Sequence, residues 1–208
     1  RRFWEIPRVT EEWEFQQGTV NETRHYGGLR EIFYGEDGQG GFYEYARERL
    51  GGQTGSWIRG LSVRNRRGVI VSAMGSLQVS LFGGKLFDDN TVVICPKHEK
   101  DLAAIWAFCA SEEYYNKVRA IDTSLKVRGP LVRVPFDREY WRRVAEEKYP
   151  EGLPAPHSDD PTQWLFDGNP VGSEYPLQVA VARLVGYVWP KQTGIGFMDC
   201  EAKADSDG

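Results

Sequence analysis

The chain has 208 residues, a net charge of −4, 40% hydrophobic residues and 13% aromatic residues. That length suits one sizeable domain or two small ones, and the apolar share is enough for a real core. No apolar run is long enough to span a bilayer, and the mild acidity excludes the profile of a strongly basic nucleic-acid binder while leaving room for a local basic face.

The chain opens on Arg1-Arg2-Phe3-Trp4 rather than Met, which leads us to expect an excised fragment or a processed chain. Its three cysteines, Cys95, Cys109 and Cys200, show no CxxC spacing. An odd, sparse count predicts a reducing cytoplasm rather than a disulfide scaffold, with Cys95 and Cys109 as core residues.

Residues 1–56 form a polar, turn-rich opening segment in which Trp4, Trp13 and Phe15 follow no clear period. Within it, QQGTVNETRHYGGL over residues 16–29 is dense in turn formers and in side-chain donors and acceptors. It reads either as an ordinary polar loop or as a loop that contacts bases and phosphates through Gln17, Thr19, Asn21, Arg24 and Tyr26. Asn and Gln can read adenine with two hydrogen bonds, and Arg can read guanine. Ile32 to Tyr34 is a short strand candidate ended by a GEDG turn. Phe42 to Leu50 is a short helix candidate stopped by Gly51-Gly52.

Residues 57–148 read as an α+β core. Trp57 to Met74 concentrates Arg59, Arg64, Arg66 and Arg67, either as phosphate contacts or as a solvated hairpin tip. Val69 to Val71 is a buried strand candidate, and Leu77, Val79 and Leu81 alternate with polar residues in the cleanest two-residue period of the chain. Thr91 to Cys95 is a β-branched apolar run stopped by Pro96. The block from Trp57 to Cys95 is therefore expected to be a mostly antiparallel sheet.

Leu102, Ile105, Trp106 and Cys109 then recur at helical spacing. Ser111 with Glu112 and Glu113 predicts a fresh N-cap, for a helix burying Tyr115, Val118 and Ile121. Asp137 predicts the cap of a third helix carrying Tyr140, Trp141 and Val144. Between these helices, Lys126 and Arg128 share one face of an extended segment, as phosphate contacts or as plain surface charges.

Residues 149–190 form a proline-rich arm followed by an amphipathic helix with Leu177, Ala180, Val181, Leu184 and Val185 on one face. Residues 191–208 are polar and acidic, and are expected to be disordered. The predicted fold class is α+β: a mostly antiparallel sheet packed with a few amphipathic helices, plus the C-terminal proline-rich arm and helix.

The order of several segments carries a resemblance: FDDN…VVICPK, AIWAFCASEEYYNKVRAID, LKVRGPLVRVPFD, and then DDPTQWLFDGNP…LQVAVARLVGYVWP. Over roughly Gln16 to Pro190 the chain resembles the C-terminal target-recognition region of large adenine-specific DNA methyltransferases of prokaryotic restriction and phage-defence systems, including those of the BREX and DISARM kind. In that family a comparable segment, glycine followed by Thr and Asn, opens the recognition region. The resemblance implies double-stranded DNA as partner, together with the parent's catalytic methyltransferase domain and other subunits of the defence system. It implies S-adenosylmethionine as a cofactor of the parent enzyme, with none in this chain, and a parent that continues well beyond residue 208.

Catalytic chemistry of that family has no foothold here. A flipped adenine needs an Asn-Pro-Pro-aromatic or Asp-Pro-Pro-aromatic motif. Asn169-Pro170 is followed by Val171, and Asp160-Pro161 by Thr162. Gly194 to Phe197 (GIGF) follows no strand pattern and makes no cofactor loop. His25, His98 and His157 are scattered, and no HExxH, GxSxG or P-loop occurs. Asp88-Asp89 with Lys97 is the nearest candidate for a metal nuclease, and Asp89-Asn90 reads better as a turn before a strand. The chain is thus expected to recognise DNA without catalysing. A scaffold domain of a defence complex is the alternative, and a small self-contained nuclease ranks last.

Overall fold

A computed structural model describes residues 9–36, 39–51, 59–127 and 129–156, with Phe3, Ile6, Pro161, Leu177 and Val181. Among these described residues the fold is mixed α and β, with four α-helices and two small sheets. The first sheet has the order β2-β1-β5, formed by Trp13–Gln17 (β1), Glu31–Tyr34 (β2) and Leu86–Phe87 (β5). β1 runs antiparallel to β2, with Trp13 opposite Tyr34, and parallel to β5, with Gln16 opposite Leu86. This sheet draws strands from both sides of residue 56, so the opening segment and the core share it.

The second sheet has the order β4-β3-β6, from Gly68–Ser72 (β3), Val79–Phe82 (β4) and Thr91–Ile94 (β6). Both of its pairings are antiparallel, as expected. Within the block from Trp57 to Cys95, however, β5 leaves this sheet to pair with β1. The alternation at Leu77 to Leu81 also has a different meaning from a half-exposed strand. Leu77 sits in a turn at φ 56°, and all four residues of β4 are buried, including Ser80. β4 is covered on both faces, which removes the outward polar side of a simple strand.

Gly41–Arg49 (α1) buries Tyr43 and Ala46 and packs beside β2. Leu102–Cys109 (α2) is apolar almost all round and lies between β3 and Arg138–Lys148 (α4). Glu112–Ile121 (α3) starts at the predicted cap, where Ser111 Oγ accepts from Tyr114 N at 3.2 Å. Asp137 caps α4 in the same way, Oδ1 accepting from Tyr140 N at 3.0 Å. The buried face of α3 is Tyr114 and Val118; Tyr115 and Ile121 are exposed, which corrects the expected stripe. Tyr114 can be buried because its hydroxyl donates to Leu131 O at 2.8 Å.

The main core joins β3 and β4 to α2, α3 and α4, with Cys109 inside it and Cys95 only half-buried. Smaller clusters gather Phe3, Ile6 and Ile32, and Tyr43, Ala46 and Leu86. The terminal amphipathic helix, the tail after residue 190, Cys200, Trp57 and Arg128 lie outside the described residues, apart from Leu177 and Val181. No helix among the described residues is long and apolar enough to cross a membrane.

Candidate nucleic-acid interface

β4 is an edge strand, and an unpaired edge invites pairing with other chains. Here residues 18–30 take that edge. Arg24 N donates to Val79 O at 3.1 Å, and Leu81 N donates to His25 O at 2.9 Å. Thr23 Oγ1 accepts from Val79 N at 3.3 Å. Gln17 clamps the loop from β1: it is 1% exposed, and its Nε2 donates to Gly27 O at 2.9 Å and Leu81 O at 2.8 Å. The side chain of Gln17 is thus an internal strut, and does not face a groove as the sequence reading supposed. Tyr26 also turns inward, packing on the main core and donating its hydroxyl to Pro154 O at 2.7 Å. Thr19 and Asn21 remain exposed. Arg24 is half-buried and pairs with Glu22 at 3.4 Å.

The arginine cluster seen in the sequence divides in space. Arg64 pairs with Glu14 on β1, whose other carboxylate oxygen accepts from the Tyr43 hydroxyl at 3.0 Å. Burial, helped by the Glu14 charge, pushes the Tyr43 hydroxyl up to about 12. Arg59 lies over the Phe87 ring and meets Asp89 at 2.8 Å. Lys126 reaches the same Asp89 at 2.9 Å and Asn90 Oδ1 at 2.9 Å. Asp89 is therefore matched by Arg59 and Lys126, not by Lys97, and Asp88 Oδ1 accepts from Asn90 N at 2.8 Å in the predicted turn. Arg66 and Arg67 face solvent. Arg66 donates to Pro96 O at 3.1 Å, and Arg67, whose side chain is 58% exposed, touches Glu99 at 3.2 Å.

No family model and no curated protein matches this chain. Two arrangements around the loop were not visible in the sequence.

The first is the anchor of the loop. His25 stacks on Trp106 with ring centres 4.6 Å apart and meets Tyr149 edge-on at 5.7 Å. Its Nε2 is buried without a hydrogen-bond partner. Burial, and secondarily the Lys148 charge, hold its pKa below the ordinary histidine value. The folded state thus binds this proton less readily than the unfolded chain. Its stability is fully present above the ordinary value near 6.5, and declines as pH falls below that towards the depressed folded value. We expect the urea midpoint of the protein to drop between pH 8 and about pH 5, and the drop to shrink in His25→Gln. An equal drop in that variant would remove His25 as its source.

The second arrangement is a cleft of about 90 Å³ under the loop, lined by Asn21, Arg24, Gly28, Leu29, Arg30 and Pro161. Arg30 was not among the expected contacts, since it stands alone in the sequence beside a strand.

Proposed function

We propose that the chain is the DNA-recognition portion of an adenine-specific, S-adenosylmethionine-dependent DNA methyltransferase acting in the prokaryotic cytoplasm within a restriction or phage-defence system. It binds duplex DNA, and the methyl donor belongs to the catalytic domain of the parent. The observation that carries this reading is the build of residues 18–30. The loop backbone is tied inward to β4 and Gln17, so a polar loop is held rigidly on a sheet with Thr19 and Asn21 outward. Rigid placement of polar side chains by a scaffold is what base reading needs. Arg66 and Arg67 supply solvent-facing cations for phosphate contact, and Arg59, Arg64 and Lys126 serve mainly internal ion pairs.

Fluorescence anisotropy with a pool of short duplexes, repeated over a salt series, tests the proposal. Arg66→Ala with Arg67→Ala should leave the urea midpoint unchanged. The same pair should lower affinity at least tenfold at low salt and reduce the salt slope by about two. Unchanged affinity and slope would sink the phosphate-contact assignment.

A second reading, a protein-interaction scaffold, is favoured by one apolar patch. Leu125 is 74% and Ile121 57% exposed, with Met74 and Tyr115 nearby. Arg119 gathers this patch, donating to Ser124 O and Gly75 O and lying over the Tyr115 ring. Co-purification of a partner that is lost on Leu125→Glu, with no measurable DNA affinity, would select it.

A further inference from the structure

The cleft beneath the 18–30 loop has the chemistry of an oxyanion site. Gly27 O accepts from Gln17 Nε2 at 2.9 Å, and Gly28 O accepts from Gly18 N at 2.9 Å. All peptide bonds of the described chain are trans. In a trans peptide the N–H points opposite to the C=O. With these two carbonyls turned towards β1, the N–H groups of Gly28 and Leu29 point the other way, and both residues line the cleft. Among the described residues no acceptor takes either N–H, although Gly28 and Leu29 are both buried. Buried backbone donors are rarely left unmatched, and paired outward N–H groups in a glycine turn form a concavity that suits anions.

The turn is sterically fixed. Gly28 has φ +82°, and a Cβ there would lie 2.5 Å from Gly18 O. Charge agrees with the backbone: Arg24 and Arg30 both border the cleft, with Asn21 as a neutral polar neighbour. Glu22, the acid among the described lining residues, is largely exposed and sits against Arg24 at 3.4 Å, so it can swing into water when an anion enters. The cleft has room for several waters, enough for a tetrahedral oxyanion.

We propose that this cleft seats a phosphodiester group of the nucleic-acid backbone, held by the Gly28 and Leu29 N–H groups and by the charges of Arg24 and Arg30. This assignment rests on the DNA-recognition reading. It places a backbone contact beside Asn21, where it would fix the register of the loop on the duplex.

The test follows the amide resonances of Gly28 and Leu29 in nitrogen–proton correlation spectra of the full chain. It uses inorganic phosphate at constant ionic strength and, separately, a short duplex. Saturable shifts of both amides with both probes, weakened about tenfold by Arg30→Gln, are expected. Shifts with phosphate alone, while the duplex leaves these amides unmoved, would overturn the phosphodiester assignment in favour of a free phosphate. Duplex binding that moves other resonances, with phosphate inert at the cleft, would overturn the seat and leave DNA recognition standing. Silence from both probes would remove both.

Discussion

Trp106→Ala is expected to cost about 4 kcal/mol of stability, the upper range for loss of a large core aromatic. Trp106 is 2% exposed on α2, the helix that faces the second sheet on one side and α4 on the other. Three interactions go at once. The indole Nε1 no longer donates to the Tyr149 hydroxyl at 2.9 Å, the ring no longer stacks on His25, and a cavity is left in the main core. Since His25 is the residue of the 18–30 loop whose carbonyl receives the Leu81 N–H, the damage also spreads to the loop on the β4 edge. On the proposed DNA-recognition role, the variant should therefore lose duplex affinity at temperatures where it is still mostly folded. Trp106→Phe separates the parts: it keeps an aromatic face for His25 and loses the N–H, for about 1 to 2 kcal/mol. Urea unfolding of both variants beside the anisotropy titration reads both effects. Equal stability of the alanine and phenylalanine variants would show that ring volume and stacking contribute little here.

Local signals in the sequence placed much of the secondary structure, because they depend on neighbours within one turn. Ser111 and Asp137 cap α3 and α4 through hydrogen bonds that span three residues. The strands β2 and β6 and the helix α1 likewise follow from short apolar runs and the turn residues that end them. β1 escaped because Gln17, a polar residue, holds a buried position in it, and a polar residue at an inward position hides the strand period. The face of α3 was misread because Tyr114 and Tyr115 are equivalent in composition. Only the tertiary acceptor at Leu131 O makes the first of them the buried one.

The candidate interface was less legible, for a physical reason. Cations adjacent in sequence need not share a surface, since each is claimed by whichever acid the fold brings to it. Glu14, Asp89 and Glu99 stand 50, 30 and 32 residues from the arginines they hold. The stretch from Arg59 to Arg67 thus read as one basic patch, while the structure distributes it among β1, the turn before β6 and the turn before α2. A composition signal for phosphate binding counts charge, and only the fold decides how much of that charge is already neutralised. The glycine turn at residues 27–28 shows the converse, since its donors belong to the backbone and no side-chain signal announces them.

The acid response should be dominated below pH 4 by Asp101. This carboxylate closes the turn before α2 and is 6% exposed, yet it makes no cap bond to its own helix. It is held instead by α4. Arg138 donates through Nε at 3.1 Å and Nη2 at 2.7 Å, and Arg142 through Nε at 2.8 Å. These hydrogen bonds, Arg138 first, depress its pKa below the ordinary aspartate range. A depressed folded pKa gives stability that is fully present above the ordinary value near 4 and lost as pH falls through the lower folded value. Asp101→Asn keeps the shape and removes the charge, leaving the part-buried Arg142 with only the exposed Glu139, at 3.5 Å, as counter-ion. We expect a cost of about 3 kcal/mol at pH 7, at the lower edge for breaking a buried pair because Arg138 is partly solvated. Wild type and variant should converge as pH drops below the folded pKa of Asp101, since protonation imposes the same loss on the wild type. A double-mutant cycle with Arg142→Met at pH 7 measures the coupling directly. A gap between wild type and Asp101→Asn that persists undiminished into strong acid would show that packing at residue 101, and not its charge, joins α2 to α4.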